Sequence, residues 1–158
     1  IMTWVNDPEV VFYLSSMKKK FSREEELKFV KDIIESPTDK VFSIFYGHDY
    51  IGQASINKID WSCKKGRLFI VIKREVWGNG YGPTAIKEIQ RIFFEDLGLN
   101  KLYLIVRMDN KKCLQLYQKV GFYREGVLYD EYILNDQFID MVQMAMTKDW
   151  WKSWWKGD

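Results

Sequence analysis

The chain has only two cysteines and one histidine in 158 residues. Cys63 and Cys113 show neither CxxC spacing nor a neighbouring histidine pair. That excludes a disulfide framework and a structural zinc, so no metal is expected and a reducing, cytoplasmic setting is. His48 stands in Tyr46-Gly-His-Asp-Tyr50, which reads as a solvated hairpin turn rather than a catalytic base. The net charge of +2 is too small to argue for a nucleic-acid partner. No apolar run approaches the roughly 20 residues needed to span a bilayer, and no secretory leader is expected, so no membrane partner is expected either. The phosphate-cradling pattern GxxxxGK[ST] is also missing, which argues against an ordinary ATPase or GTPase. What remains is 47% hydrophobic and 29% charged, the balance of one globular domain with ample core.

The pattern along the chain is mixed. Asn6-Asp-Pro8 marks a turn, with Pro8 at a first helical position. Ser22-Arg-Glu-Glu25 is a capping box opening a helix whose Leu27, Val30, Ile33 and Ile34 share one face. Val41 to Tyr46, Tyr50 to Ile59 and Arg67 to Ile72 read as strands joined by short turns, hence antiparallel neighbours. Ala85, Ile86, Ile89, Phe93 and Leu97 then recur at three- and four-residue spacing, a helix ending near Gly98. Lys101 to Val106 is a strand. Asn110 caps a helix over Lys111 to Val120, stopped by Gly121. Phe122 to Tyr132 and Phe138 to Thr147 form a last pair of strands around Asn135-Asp136. The fold class is α/β (α+β), with a mostly antiparallel sheet.

The most informative stretch lies between the third strand and the following helix: Trp77-Gly-Asn-Gly-Tyr-Gly-Pro83. Glycines at alternate positions (Gly78, Gly80, Gly82) let several N–H groups point inward with no Cβ in a ligand's way. The next helix aims its own free N–H groups and dipole at the same place. Such a turn suits phosphate or pyrophosphate. Gly80, Gly82 and Ala85 also satisfy the dinucleotide pattern GxGxxA. That pattern normally opens a βαβ unit directly after its first strand, whereas here five residues (Lys73 to Trp77) intervene and the preceding strands are hairpin-linked.

Trp77-Gly-Asn-Gly-Tyr-Gly82 resembles the pyrophosphate loop of the GNAT superfamily of acetyl-CoA-dependent N-acetyltransferases, [RQ]-x-x-G-x-[GA]. Asn110-Lys-Lys-Cys-Leu-Gln-Leu-Tyr117-Gln-Lys-Val-Gly-Phe122 resembles its second signature, N-x-x-[SA]-x-x-x-Y-x-K-x-G-F, at the expected distance, and Tyr50-Ile-Gly52 sits in the upstream hairpin. The resemblance covers nearly the whole chain and is nearest to the branch typified by the ribosomal-protein and spermidine N-acetyltransferases, where Asn6-Asp-Pro8, Trp77 and Phe138-Ile-Asp-Met141 are familiar. It implies one domain over 1–158, opening at Ile1 in a helical stretch (Ile1, Met2, Val5) and lacking its first N-terminal strand. It also implies helices on both faces of the sheet and one parallel pair of strands that splays apart.

Acetyl-CoA is the co-substrate the resemblance implies. Its arm would pass between the strands ending at Ile72 and Val106, with Val71 and Ile72 bonding the arm. Trp77 stands in the Arg/Gln slot, and Pro83 stands where relatives carry Thr or Ser; the amides of Gly78, Asn79, Gly80, Tyr81, Gly82 and Thr84 remain for the diphosphate. Asn110 would bond the arm while also capping its helix. Lys112 and Lys119 are candidates for the phosphates against the bland reading of solvated lysines. Tyr117 occupies the family's place for the acid that protonates the leaving thiolate, with helix packing as the alternative. The slot where relatives often carry a basic Glu holds Arg67, which leaves Glu75, Asp60, Asp130 and Glu131 as carboxylate candidates, Glu75 for the base and the other three for the acceptor. Cys113, in the helix body, reads as a small apolar residue rather than a nucleophile.

The acceptor is a small-molecule amine or a protein N-terminus, met by the loops Asn57 to Lys64 and Tyr129 to Tyr132. The opposing reading is a non-catalytic acyl-CoA-binding sensor or scaffold. The tail carries Trp150, Trp151, Trp154 and Trp155 at helical spacing. These suit docking on the chain itself or on a second copy in a homodimer; a membrane interface or stacked bases are the alternatives.

Overall fold

A computed structural model describes residues 7–11 and 22–155. The N-terminal stretch with Ile1, Met2 and Val5 lies outside the described residues. The elements run α1 (Pro8–Val11), α2 (Arg23–Ile34), β1 (Lys40–Tyr46), β2 (Asp49–Asp60), β3 (Lys65–Ile72), α3 (Tyr81–Arg91), β4 (Lys101–Arg107), α4 (Lys111–Lys119), β5 (Tyr123–Leu134), β6 (Gln137–Thr147) and α5 (Lys148–Trp155). The six strands form one sheet in the order β1-β2-β3-β4-β6-β5. All neighbours are antiparallel except β3 and β4.

Local chemistry sets most boundaries. Ser22 and Glu25 close the capping box on α2, with side chain and backbone bonded both ways. The β5–β6 turn places both Asn135 (φ 49°) and Asp136 (φ 60°) in the left-handed region, the geometry a two-residue hairpin requires. Two expectations need adjustment. The apolar face of α2 is only partly covered: Leu27 is 54% and Ile34 76% exposed, because the helix lies beside the edge strand β1. The helix after the glycines does not run regularly to Gly98 either. At Ile92–Asp96 it widens into a π-turn, with Leu97 N–H donating to the Ile92 carbonyl five residues back at 2.9 Å. Phe93 and Phe94, though adjacent in sequence, are then both fully buried.

The core lies on one face of the sheet. Ala54, Ile56, Leu68, Leu102, Leu104, Val142, Met144 and Met146 meet Ile86, Ile89, Phe93 and Phe94 beyond them, with Tyr117, Val120 and Trp151. The tryptophan tail docks on its own chain. Trp151 stacks on Phe94 at 5.2 Å, and the Trp150 indole donates to the Gly121 carbonyl at 2.7 Å. Lys87 of α3 lies over the rings of Trp154 and Trp155. Gly66 marks close packing on the parallel pair: a Cβ there would come 2.9 Å from Ile56 Cγ2 and 3.0 Å from Phe93 Cε2. Gly66→Ala is expected to lower the unfolding free energy by about 1–2 kcal/mol through overpacking, read as a lower urea midpoint at unchanged slope.

Candidate active site

The parallel ladder between β3 and β4 is short. It pairs Lys65 with Lys101, Gly66 with Leu102 and Arg67 with Tyr103, and then stops. From Leu68 to Ile72 and from Leu104 to Arg107 the two strands no longer pair with each other, so a gap opens toward their C-terminal ends. Strand alternation tells which groups face it. Lys73 N–H donates to Ile51 O across β2, so Lys73, Val71 and Phe69 direct their backbone groups to β2 while Ile72, Ile70 and Leu68 direct theirs to the gap. On the other side, Lys101 N–H donates to Lys64 O and Met108 N–H to Asp140 O, which turns Ile105 and Arg107 toward the gap. Of the two strand residues expected to bond an arm, Ile72 therefore faces the gap and Val71 faces Gln53. Ile70, not singled out from the sequence, takes the place expected for Val71. The sequence carries no mark of this, since either parity gives the same apolar run.

The glycine turn follows within a few residues. A 3-10 turn at Arg74–Val76 leads off β3, and Arg74 ties it to α1 through Glu9 (3.0 Å) and Asp7 (3.6 Å). Gly78 (φ 82°) and Gly80 (φ 81°) occupy the left-handed region, where an L-residue would cost about 1–2 kcal/mol. Gly82 has an ordinary φ and lies in the first turn of α3, and a Cβ there would meet nothing within 4 Å apart from its chain neighbours. Pro83 follows directly and its ring crowds a Cβ on a helical residue before it, so glycine suits the position; it also leaves the backbone open to a ligand. The Tyr81 ring packs on Tyr46 of β1 at 5.0 Å, which seats the start of α3, and burial beside Tyr46 raises its phenol pKa.

Two donors expected in this cradle are already committed. Thr84 N–H and hydroxyl both donate to the Gly80 carbonyl, at 3.2 and 3.1 Å, and Pro83 has no N–H. Of the amides expected to form the cradle, those of Gly78, Asn79, Gly80, Tyr81 and Gly82 are left. The Trp77 indole N–H donates to the Ile72 carbonyl at 2.7 Å and so is turned to the strand, not offered to a phosphate. Asn79 Nδ2 donates to Val76 O at 3.1 Å, bracing the same turn.

Across the gap, α4 starts at Asn110, whose buried side chain accepts from Cys113 N–H at 3.2 Å. Arg107 supports that start. Its buried guanidinium grips Asp109 through Nε (3.0 Å) and Nη2 (2.6 Å), and its carbonyl accepts from Asn110 N–H. Nothing in the sequence marks Arg107, since an Arg-x-Asp pair at a strand end looks like solvated surface. Tyr117 is buried two turns into α4, and its ring meets Phe122 edge-on at 5.9 Å. Burial pushes its phenol well above the ordinary value, and nearby Cys113 adds to the shift, so its proton is held firmly. Burial raises the Cys113 thiol as well, against an activated nucleophile. Lys112 is exposed in the first turn of α4, at the cradle's end of the sheet; Lys119 is also exposed but lies about 10 Å further along the helix.

The carboxylates separate. Glu75 is exposed in the 3-10 turn at the mouth of the gap. Asp130 and Glu131 lie in an irregular stretch of β5 opposite Asp140, with Asp130 N–H donating to Asp140 Oδ1 at 2.9 Å. That puts them at the open end of the sheet, two strands out from β4. Asp60 is not brought to the site. It sits in the β2–β3 hairpin at the closed end of the parallel pair, one full strand from the glycine turn, and so does the loop Asn57 to Lys64. Its carboxylate accepts from Cys63 N–H (2.9 Å) and Ser62 Oγ (2.7 Å), which holds its pKa down to about 2. Asp60 is a turn cap. Among the described residues no cluster of three or more His, Cys, Asp or Glu could hold a metal ion.

A parallel pair opening into a glycine turn and a helix N-terminus matches a known architecture. The sequence profile described as acetyltransferase (GNAT) domain matches residues 1–123. The chain belongs to the GNAT acetyltransferase family. Spermidine N(1)-acetyltransferase of Escherichia coli is 29% identical over 113 residues, 72% of this GNAT chain and 61% of that protein. Acetyltransferase PseH of Campylobacter jejuni is 31% identical over 132 residues, 83% and 77% of the two chains. The chain spans 61% of the Escherichia coli and 54% of the Vibrio cholerae spermidine acetyltransferase it matches. The solved structure of spermidine N-acetyltransferase from Vibrio cholerae in complex with CoA and spermine shares the fold, with a TM-score of 0.87 over 96% of this chain and 89% of that one at 23% identity. A mutant of the Vibrio cholerae enzyme superimposes with a TM-score of 0.78 at 26% identity, over 82% and 78% of the chains. The GNAT sheet is thus present with its parallel pair between β3 and β4. No helix among the described residues is long and apolar enough to cross a membrane.

Proposed function

We propose that the chain transfers an acetyl group from acetyl-CoA to a primary amine by direct attack, with both substrates held at once. The observation that carries this reading is the gap between β3 and β4, which opens directly onto the open glycine turn and the N-terminus of α3. The amides from Gly78 to Gly82 would hold the diphosphate, and the Ile72 N–H and Ile70 carbonyl, facing the gap, would pair with the amides of the arm. Acetyl-CoA supplies an activated thioester. A fixed strand N–H aimed at an oxygen that gains charge contributes about 3–4 kcal/mol.

The chain's own groups then manage two protons. An alkylammonium with a pKa near 10 must lose its proton to react, at a cost of about 4 kcal/mol at pH 7. Glu75, at the mouth of the gap, is the candidate base, acting directly or through water. Tyr117 keeps a proton on its phenol and is the candidate donor toward the departing sulfur. Asp130 and Glu131, at the open end of the sheet, suit an acceptor carrying positive charge. A polyamine, the substrate class in the names of the spermidine acetyltransferase relatives, is therefore the acceptor to test first, ahead of a protein N-terminus.

Thiol release from acetyl-CoA with a panel of spermidine, spermine, amino sugars and N-terminal peptides tests the reading. Turnover is expected with a polyamine, confirmed by a gain of one acetyl mass on the acceptor. Coenzyme A binding without turnover on any amine would favour a sensor. No binding at all would remove both readings.

A further inference from the structure

We propose that Trp77 is a positioning residue that fixes the phosphate cradle relative to the arm-binding edge of β3, so that one ligand can engage both. This rests on the coenzyme A reading above. The two surfaces belong to different pieces of chain: the edge is the end of β3, and the cradle is a turn whose three glycines carry no side chain to tie it to the strand, with the Gly80 carbonyl bonded to Thr84 of α3. A ligand with a phosphate end and an amide arm gains from having both on one molecule only where the separation of the two subsites is fixed. Between Ile72 and Gly78 the side-chain bond that closes the turn back onto the strand is the Trp77 indole N–H to the Ile72 carbonyl, at 2.7 Å. The backbone adds Lys73 N–H to Ile51 O of β2 at the strand end and, beyond it, the turn bonds Val76 N–H to Lys73 O and Trp77 N–H to Arg74 O.

The ring is not there for the core. Trp77 is 50% exposed, so apolar burial does not account for it. It is not a phosphate ligand either, since its single donor is engaged. The bond also settles which groups the edge offers. The Ile72 carbonyl faces the gap and is taken by the indole, so pairing with an arm falls to the Ile72 N–H and the Ile70 carbonyl. A rigid aromatic with one N–H thus acts as a strut between strand and turn, where a flexible cation would instead reach for the phosphate.

The test separates a strut from an ordinary contact by splitting the ligand. Calorimetry or NMR titration would give Kd for coenzyme A, for ADP (cradle only) and for pantetheine (edge only), in the parent chain and in Trp77→Phe. Trp77→Phe is expected to weaken coenzyme A about tenfold while changing ADP and pantetheine by less than about twofold, with the acceptor KM unchanged. Site-specific replacement of Trp77 by benzothienylalanine, which keeps the ring shape and lacks only the N–H, is expected to do the same. That variant decides the matter if Trp77→Phe folds poorly. Unchanged coenzyme A affinity, or ADP weakened as much as coenzyme A, overturns the strut. Failure of the parent chain to bind coenzyme A would overturn the functional reading itself and is seen before any variant is made.

Discussion

Tyr117→Phe is expected to lower kcat about 100-fold, the scale of losing one well-placed proton donor, while the Kd for coenzyme A stays within about threefold. The substitution keeps the ring that meets Phe122 and the packing of α4, so unfolding should change little. The direction of the phenol's shift shapes the pH profile. Burial, with Cys113 nearby, raises it, so the parent keeps this proton through the whole working range. Its activity should climb with pH as the amine deprotonates and show no alkaline fall from this group near pH 10. A phenol that binds its proton more tightly than a thiol, whose ordinary value is about 8.5, gives most of its benefit as a hydrogen bond that strengthens while charge gathers on sulfur. Single-turnover acetylation at several pH values would check this. An unchanged kcat in Tyr117→Phe would take the residue out of the chemistry.

The second large effect separates binding from stability. Gly82→Ala is expected to leave the unfolding free energy within about 1 kcal/mol of the parent, because the better helix propensity of alanine is offset by its Cβ crowding the Pro83 ring. The same methyl would stand where a diphosphate must approach the backbone. Losing about two charged hydrogen bonds at that surface corresponds to roughly 100-fold in coenzyme A affinity. A urea melt and a calorimetric titration on one protein sample give both numbers. Unchanged coenzyme A affinity would mean that the phosphates lie elsewhere.

Much of this site was legible from the residues. The alternating glycines, the Asn110 cap and the Asn135-Asp136 turn each follow from local backbone chemistry, which a sequence states directly. The family resemblance supplied the splayed parallel pair, and β3 and β4 show it. What could not be read is whatever depends on which way a strand faces or what a side chain has already bonded. A single hydrogen bond between Lys73 and Ile51 fixes the parity that turns Ile72 to the gap and Val71 away from it. Thr84 and Trp77 are donors on paper, yet both are spent on carbonyls within five residues of themselves. Asp60 looked like a recognition carboxylate because sequence order does not say that the β2–β3 hairpin sits at the closed end of the gap. Arg107 was missed for the opposite reason, a charged residue that the fold buries.

The π-turn at Ile92–Asp96 has a bearing on how this scaffold can vary. Its extra residue rotates the chain enough for two neighbouring rings, Phe93 and Phe94, to enter the interior together. Deleting or inserting one residue there would swing a phenyl group out into water and drag the phasing of α3 with it. Length changes among descendants of this chain should therefore collect in the hairpin tips, leaving the spacing between the glycine turn and Phe94 frozen.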